Sequence, residues 1–200
     1  PGDEEMVKCC VQKFVGEIYQ IPPMYSALKV NGKKLYELAR QGIEVERKPR
    51  KLNIYDIKIL KIELPNVTFQ VTCSKGTYIR SLCYDIGRQV GSGGAMWKLL
   101  RLSTGGFNIN EAVPLSELTE ANIKSYLIPM DKALRNYKKV YFEDKYSKFL
   151  YNGVLIKTSV IPDDIEKDTN YLVYLKNGDF IGIGALGNNG FKIIKLLNLE

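Results

Sequence analysis

Apolar positions in DEEMVKCCVQKFVGEIYQ (Val7, Cys10, Val11, Phe14, Val15 and Ile18) recur at mostly helical intervals. That is the period of one buried helix face, and Asp3 stands where a helix cap is needed. The spacing predicts one amphipathic helix along the whole stretch. IPPMYSALKVNGKK then brings Pro22, Pro23 and the turn former Asn31-Gly32, which exclude regular structure and predict a long exposed loop. Long loops in compact domains tend to carry function. KLYELARQG reads as a short helix with Gly42 just past its end.

KLNIYDIKILKIEL and NVTFQVTCS read as adjacent strands joined at Pro65-Asn66, the second alternating Val67, Phe69 and Val71 with polar residues. Lys75-Gly76 supplies a turn. From Thr77 onward Ile79, Leu82, Cys83, Ile86 and Val90 recur at helical spacing, and Gly91 stops the run. Tyr78 and Arg80 therefore fall in the first turn of a helix leaving a strand end, a junction stiff on both sides. AMWKLLRLSTGGF is expected to be a further apolar strand, and LSELTEANIKSYL a helix opening at Ser116. KKVYFE precedes a short helix in DKYSKFLYNG. TNYLVYLKNGDFIGIGALGNNGFKIIKLL then reads as hairpins turning at Asn177-Gly178 and Asn188-Asn189-Gly190. Helices set against an antiparallel or mixed sheet make this an α+β fold. A first domain is expected over residues 1–136 and a second, small and β-rich, over 137–200.

Two hundred residues suffice for a packed core. No apolar run approaches the length of a membrane span, and the acidic start, PGDEEMVKCC, is unlike a signal peptide, so a soluble cytoplasmic protein is expected. Cys9, Cys10, Cys73 and Cys83 form no CxxC pair and read as reduced thiols, most of them small core residues. The chain holds no histidine, which removes Ser-His and Cys-His nucleophile pairs and His-containing zinc sites. Chemistry is left to Asp, Glu, Tyr, Lys, Arg or Cys.

The formal net charge is +7, and most of the surplus is local. Lys29, Lys33, Lys34, Arg40, Arg47, Lys48, Arg50 and Lys51 face only Glu37, Glu44 and Glu46 in that interval, whereas the chain from Tyr141 onward is slightly acidic. Such a stripe fits a polyanion, and a solvated face of scattered lysines reads the same way. Tyr25 and Tyr36 lie among these charges, which favours nucleic acid because bases stack on such rings. Arg80 is unusual for its place, since a cation in the first helical turn meets the unfavourable end of the macrodipole. It calls for a carboxylate or phosphate partner, and a structural ion pair and a functional site remain equally open on local grounds. GSGG lacks the Lys-Ser/Thr of a phosphate-binding loop and reads as a helix stop and turn.

In this order and spacing, QIPPMYSALKVNGKKLYELARQGIEVERKPR, CSKGTYIRSLCYDIG and GAMWKLLRLSTGGF resemble the bacterial TruB family of tRNA pseudouridine synthases. The resemblance is long and specific over residues 14–107, and weaker in the tail, which is similar to the family's small PUA-like RNA-binding domain. It implies a pseudouridine-synthase α+β catalytic domain followed by that β domain. The implied activity is isomerisation of the T-loop uridine at tRNA position 55 by base flipping and glycosidic bond exchange, with no metal or organic cofactor. It implies that Arg80 pairs with the nucleophilic aspartate and that Tyr78 contacts the flipped uracil, with Leu99 as an apolar wall. Residues 21–50 resemble a thumb loop that closes on the T arm, so Tyr25, Lys29, Lys33, Lys34, Tyr36 and Arg40 are expected to hold RNA.

The family's G-x-L-D-P-x-A-x-G-like nucleophile motif does not occur in this sequence, and Asp3, Asp56, Asp85 and Asp131 lack its surroundings. The expectation is therefore a C-terminal fragment, inactive alone, whose partner is the missing N-terminal half of the same enzyme. A non-catalytic RNA-binding piece and a member of the RNA-guided branch of the superfamily are the alternatives.

Overall fold

The computed structural model describes residues 3–157, 160–162 and 164–197. The chain divides into two compact units, Pro1–Leu99 and Leu100–Glu200.

The first unit runs α1 (Glu4–Gln12), β1 (Gly16–Gln20), β2 (Lys29–Val30), β3 (Lys33–Lys34), α2 (Leu35–Arg40), β4 (Arg50–Glu63), β5 (Asn66–Cys73) and α3 (Ile79–Val90). Asp3 caps α1 as its spacing requires, accepting the Met6 N–H at 2.8 Å. The helix is shorter than expected. Val15 and Ile18 continue the helical spacing, yet Gly16 sits at φ 108° and opens β1 instead. A left-handed glycine there turns the chain at no steric cost, and the sheet claims the residues beyond it.

β1, β4 and β5 form an antiparallel sheet in the order β1-β4-β5. β4 departs from strict alternation, since its inward residues are Leu52, Ile54, Ile57, Ile59 and Ile62. Register shifts at Ile54/Asp56 and Ile59/Lys61 insert one extra residue each. These bulges return the next isoleucine to the core face and turn Tyr55 and Leu60 outward. Val7 and Val11 of α1 pack with Ile54, Ile57, Leu82 and Ile86 in one core.

Gly91 ends α3 at φ 87°. A Cβ on Gly87 would collide with the backbone of Gly93 and Gly94, and one on Gly94 would stand 2.5 Å from the Cys83 carbonyl. GSGG is thus a helix stop folded tightly back on its own helix. Residues 95–102, expected as a strand, have no ladder partner among the described residues. A strand exists only through its pairing, and Trp97, Leu99 and Leu100 stand exposed instead.

The second unit opens with the short hairpin β6 (Ser103–Thr104) and β7 (Phe107–Asn108). The helix expected in LSELTEANIKSYL is replaced by two short 3-10 turns, Leu115–Glu117 and Ile123–Tyr126, with no buried residue in either. Without a buried apolar face, a helix of that length is not sustained. The short helix α4 (Met130–Ala133) leads into β8 (Lys138–Phe142), α5 (Ser147–Tyr151), β9 (Asn170–Leu175), β10 (Phe180–Gly187) and β11 (Gly190–Leu196). Their sheet has the order β11-β10-β9-β8, with β8 parallel to β9, and turns at Asn177-Gly178 and Asn188-Asn189-Gly190 as expected. Val140, Phe142, Leu150, Val173, Ile181 and Phe191 form its core.

Cys9, Cys10, Cys73 and Cys83 are not joined in disulfides. Cys10 is a core residue and Cys73 and Cys83 are half-buried, but Cys9 lies on the outer face of α1.

Candidate active site

The strand-to-helix junction is built from its turn outward. Gly76 at φ 85° reverses the chain after β5, and the Thr77 hydroxyl donates to the Ser74 carbonyl at 2.9 Å. The Ser74 hydroxyl accepts the Asn53 N–H at 3.0 Å, tying the turn to β4. Tyr78 takes the N-cap position of α3 without a capping side chain of its own. Its main chain is held instead by Gln20 at the end of β1: the Tyr78 N–H donates to Gln20 Oε1 at 3.1 Å, and Gln20 Nε2 donates to the Tyr78 carbonyl at 3.3 Å. Gln20 is only 2% exposed. Nothing singled it out in the sequence, where a lone glutamine before Ile-Pro-Pro gives at most a faint signal.

Arg80, in the first turn of α3 at the same corner, is exposed and donates from Nη2 to the Tyr25 carbonyl at 2.8 Å. Tyr78, Arg80 and Tyr25 therefore come together. Among the described residues no carboxylate pairs with Arg80, so the partner demanded by its position is not a nearby acid of this kind. The aspartates are otherwise engaged or placed. Asp3 caps α1, Asp131 accepts the Tyr174 hydroxyl at 3.0 Å, Asp56 is exposed beside a β4 bulge, and Asp85 lies in α3. Desolvation pushes the Asp85 carboxyl above the usual range against the opposing charge of Arg88. Burial likewise raises the Cys83 thiol, which disfavours the thiolate a nucleophile needs.

The basic loop is folded rather than structureless. β2 and β3 close a hairpin over Asn31 (φ 51°) and Gly32 (φ 80°), the backbone signature of a tight primed turn. The Leu35 N–H donates to Leu28 and the Tyr36 N–H to Ser26, while Leu35 and Leu38 are buried beneath. Arg47 braces the loop's start, donating to the Pro22 carbonyl at 3.3 Å and to Glu44 at 2.9 Å.

Lys29 and Lys34 are direct cross-strand partners, with Lys33 opposite Val30. Like charges facing each other across a ladder are unfavourable, and the side-chain charges of Lys29, Lys33, Lys34 and Arg40 form no ion pair among the described residues, Glu37 accepting only the Lys34 main-chain N–H. An anion between them would relieve that cost. Lys34 Nζ lies 5.4 Å and the Arg40 guanidinium 5.5 Å from the centre of the Tyr36 ring, so the aromatic is embedded among cations. Tyr25 is 59% exposed and Leu99 57%. Leu99 is therefore not the core residue that its alternating context alone suggests.

No described group of His, Cys, Asp and Glu side chains could hold a metal ion, and no described helix is long and apolar enough to cross a membrane.

Residues 2–79 match the family model of the TruB family pseudouridylate synthase N-terminal domain, and residues 80–135 that of the tRNA pseudouridylate synthase B C-terminal domain. A curated tRNA pseudouridine synthase B of Clostridium kluyveri is 56% identical over 93% of this chain and 64% of its own length. That of Clostridium tetani is 50% identical over 97% and 67%, and that of Clostridium acetobutylicum 53% over 98% and 68%. The chain thus spans about two thirds of the length of these relatives. In fold it is similar to a chain of a solved Cbf5-Nop10-Gar1 complex, with a TM-score of 0.75 at 24% identity over 98% of this chain and 62% of that one. A chain of an H/ACA RNP bound to a substrate RNA gives 0.74 at 21%, over 99% and 62%.

Proposed function

The chain belongs to the TruB family of tRNA pseudouridine synthases, and from that premise we propose that it is the greater part of a cytoplasmic isomerase converting the uridine at position 55, in the T loop of tRNA, to pseudouridine. The carrying observation is Arg80: a guanidinium aimed from a stiff corner and, among the described residues, bound to the Tyr25 carbonyl with no carboxylate paired to it. A planar, permanently charged fork suits a carboxylate that must stay ionised and correctly rotated. The nucleophilic aspartate comes from a segment preceding this chain, as the family resemblance implies. The apolar run 95–102, without a ladder among the described residues, is the kind of segment such a partner would pair.

In this reading the target base is extruded from the T loop, because its reacting atoms are unreachable while stacked. With the aspartate's help the glycosidic N–C bond breaks, the uracil turns, and a ring carbon bonds to the ribose in place of the nitrogen; that carbon gives up a proton, the freed nitrogen gains one, and the carboxylate ends unchanged. Tyr78 contacts the uracil and Leu99 walls the pocket. Lys29, Lys33, Lys34 and Arg40 neutralise T-arm phosphates, while Tyr25 and Tyr36 offer stacking surfaces. Phosphate contacts position the RNA and the pocket selects the base.

We assign residues 1–136 to the catalytic domain, with the thumb at about 21–50, and 137–200 to a PUA-like RNA-binding domain. The family match ends at residue 135, and the four-stranded sheet with its own core begins at Lys138. The identity of 50–56% to enzymes named tRNA pseudouridine synthase B, against 21–24% to chains of a Cbf5-Nop10-Gar1 complex and an H/ACA RNP, favours the tRNA enzyme over the RNA-guided alternative.

The test is pseudouridine formation in a T-arm RNA, by this chain alone and by the chain joined to its preceding segment. Product only from the joined protein is expected. Turnover by the chain alone would move the nucleophile into it, and no turnover by either would remove the reading.

A further inference from the structure

We infer that Gln20 is a positioning residue for the reaction, holding the Tyr78–Arg80 corner by its main chain; this rests on the functional reading above. Both ends of one amide engage one residue. Oε1 accepts the Tyr78 N–H at 3.1 Å and Nε2 donates to the Tyr78 carbonyl at 3.3 Å, across 58 positions of sequence. That carbonyl also accepts the first helical bond, from the Leu82 N–H at 3.0 Å. Three hydrogen bonds therefore fix the peptide units on either side of Tyr78, at the point where the chain turns from extended to helical.

The arrangement is costly unless it is complete. Gln20 is buried to 2% exposure, and a buried amide left without partners loses its hydration with nothing in return. Here both polar ends are matched by a residue whose N-cap side chain offers no cap of its own. Gln20 also ends β1, whose neighbour Ile21 begins the loop that carries the Tyr25 carbonyl to Arg80. One side chain thus references both sides of the corner to the sheet: Tyr78 through its amide, Tyr25 through the chain that follows it. The Arg80 guanidinium is then aimed by two fixed ends, the helix start and the Tyr25 carbonyl.

Gln20 touches no substrate in this account, so its removal should disturb rate rather than affinity. Gln20→Met keeps an unbranched side chain of similar length and removes both hydrogen bonds. Gln20→Glu keeps the acceptor for the Tyr78 N–H and loses the donor to its carbonyl. In the protein that includes the preceding segment, single-turnover pseudouridine formation and the RNA dissociation constant are measured together, with thermal unfolding as the control for folding. Displacing a catalytic group by about 1 Å costs on the order of a hundredfold in rate. The expected result is a fall in rate of about ten- to a hundredfold for Gln20→Met, with affinity within about threefold of the parent.

Gln20→Glu sets a carboxylate oxygen against the Tyr78 carbonyl and should lose at least as much, and it carries the test if Gln20→Met does not fold. A variant that melts earlier but turns over at the parental rate when folded would make Gln20 a stability residue only and overturn the assignment. Loss of affinity equal to the loss of rate would overturn it as well. An inactive parent would remove the functional reading and this assignment together, whereas an active parent with unaffected variants removes this assignment alone.

Discussion

Arg80 and Tyr25, 55 positions apart, are joined by a hydrogen bond of 2.8 Å from the guanidinium to a main-chain carbonyl. The contact ties the start of the basic loop to the first turn of α3 without using the Tyr25 ring. It also leaves most of the five donors of the guanidinium available to an incoming acceptor. The loop that we propose closes on RNA and the arginine that we propose steadies a carboxylate are therefore mechanically linked.

The lysine hairpin should govern binding. Lys33→Ala and Lys34→Ala are expected to weaken T-arm RNA affinity for any sequence, and to shallow the log-log salt dependence by roughly 0.7 to 0.9 for each phosphate left without its cation. The chemical rate on bound RNA should be unchanged. Titrations at several salt concentrations check this, and an unaltered slope would take these lysines out of the interface.

The glycine pair behind α3 should govern stability. Gly87→Ala places a methyl group against the backbone of Gly93 and Gly94, neither of which can move as a side chain end can. Overpacking of this kind costs about 1–3 kcal/mol, to be read from chemical denaturation of the first unit. Gly42→Ala meets open space at φ 72° and should cost only the left-handed strain of about 1–2 kcal/mol.

The second unit should weaken in alkali through Tyr174. Burial first, and then the hydrogen bond to Asp131, push its phenol up to about 12 from 10.0. A group whose folded pKa is raised lends stability fully present below its unfolded value and lost as pH climbs through the folded one. The loss should therefore run from about pH 10 to about pH 12, a window fixed by those two values. Exposed lysine–carboxylate pairs titrate nearby, so the comparison is with Tyr174→Phe, whose melting temperature should decline less across that interval.

Much of this was legible in the sequence because local pattern and final structure agree. The helix from Ile79, its stop at Gly91 and the hairpin turns at Asn177-Gly178 and Asn188-Asn189-Gly190 each follow from residues within a few positions of one another. The basic loop's turn at Asn31-Gly32 was equally plain. What escaped was set by distant partners. Val15 and Ile18 obey a helical period, yet β4 pairs with Ile18 and draws it into the sheet. Residues 95–102 have a strand's composition but no ladder among the described residues. Gln20 carried no signal, since its importance lies in meeting Tyr78 across the fold.

The most direct test of the central claim is Arg80→Lys in the protein that includes the preceding segment, with single-turnover rate and RNA dissociation constant measured together. Lysine keeps the charge and loses the planar fork. The expected result is a fall in chemical rate of about a hundredfold or more, with RNA affinity within about threefold of the parent. Equal weakening of binding and chemistry would make Arg80 part of the RNA surface, and a parental rate would contradict its role beside the aspartate outright.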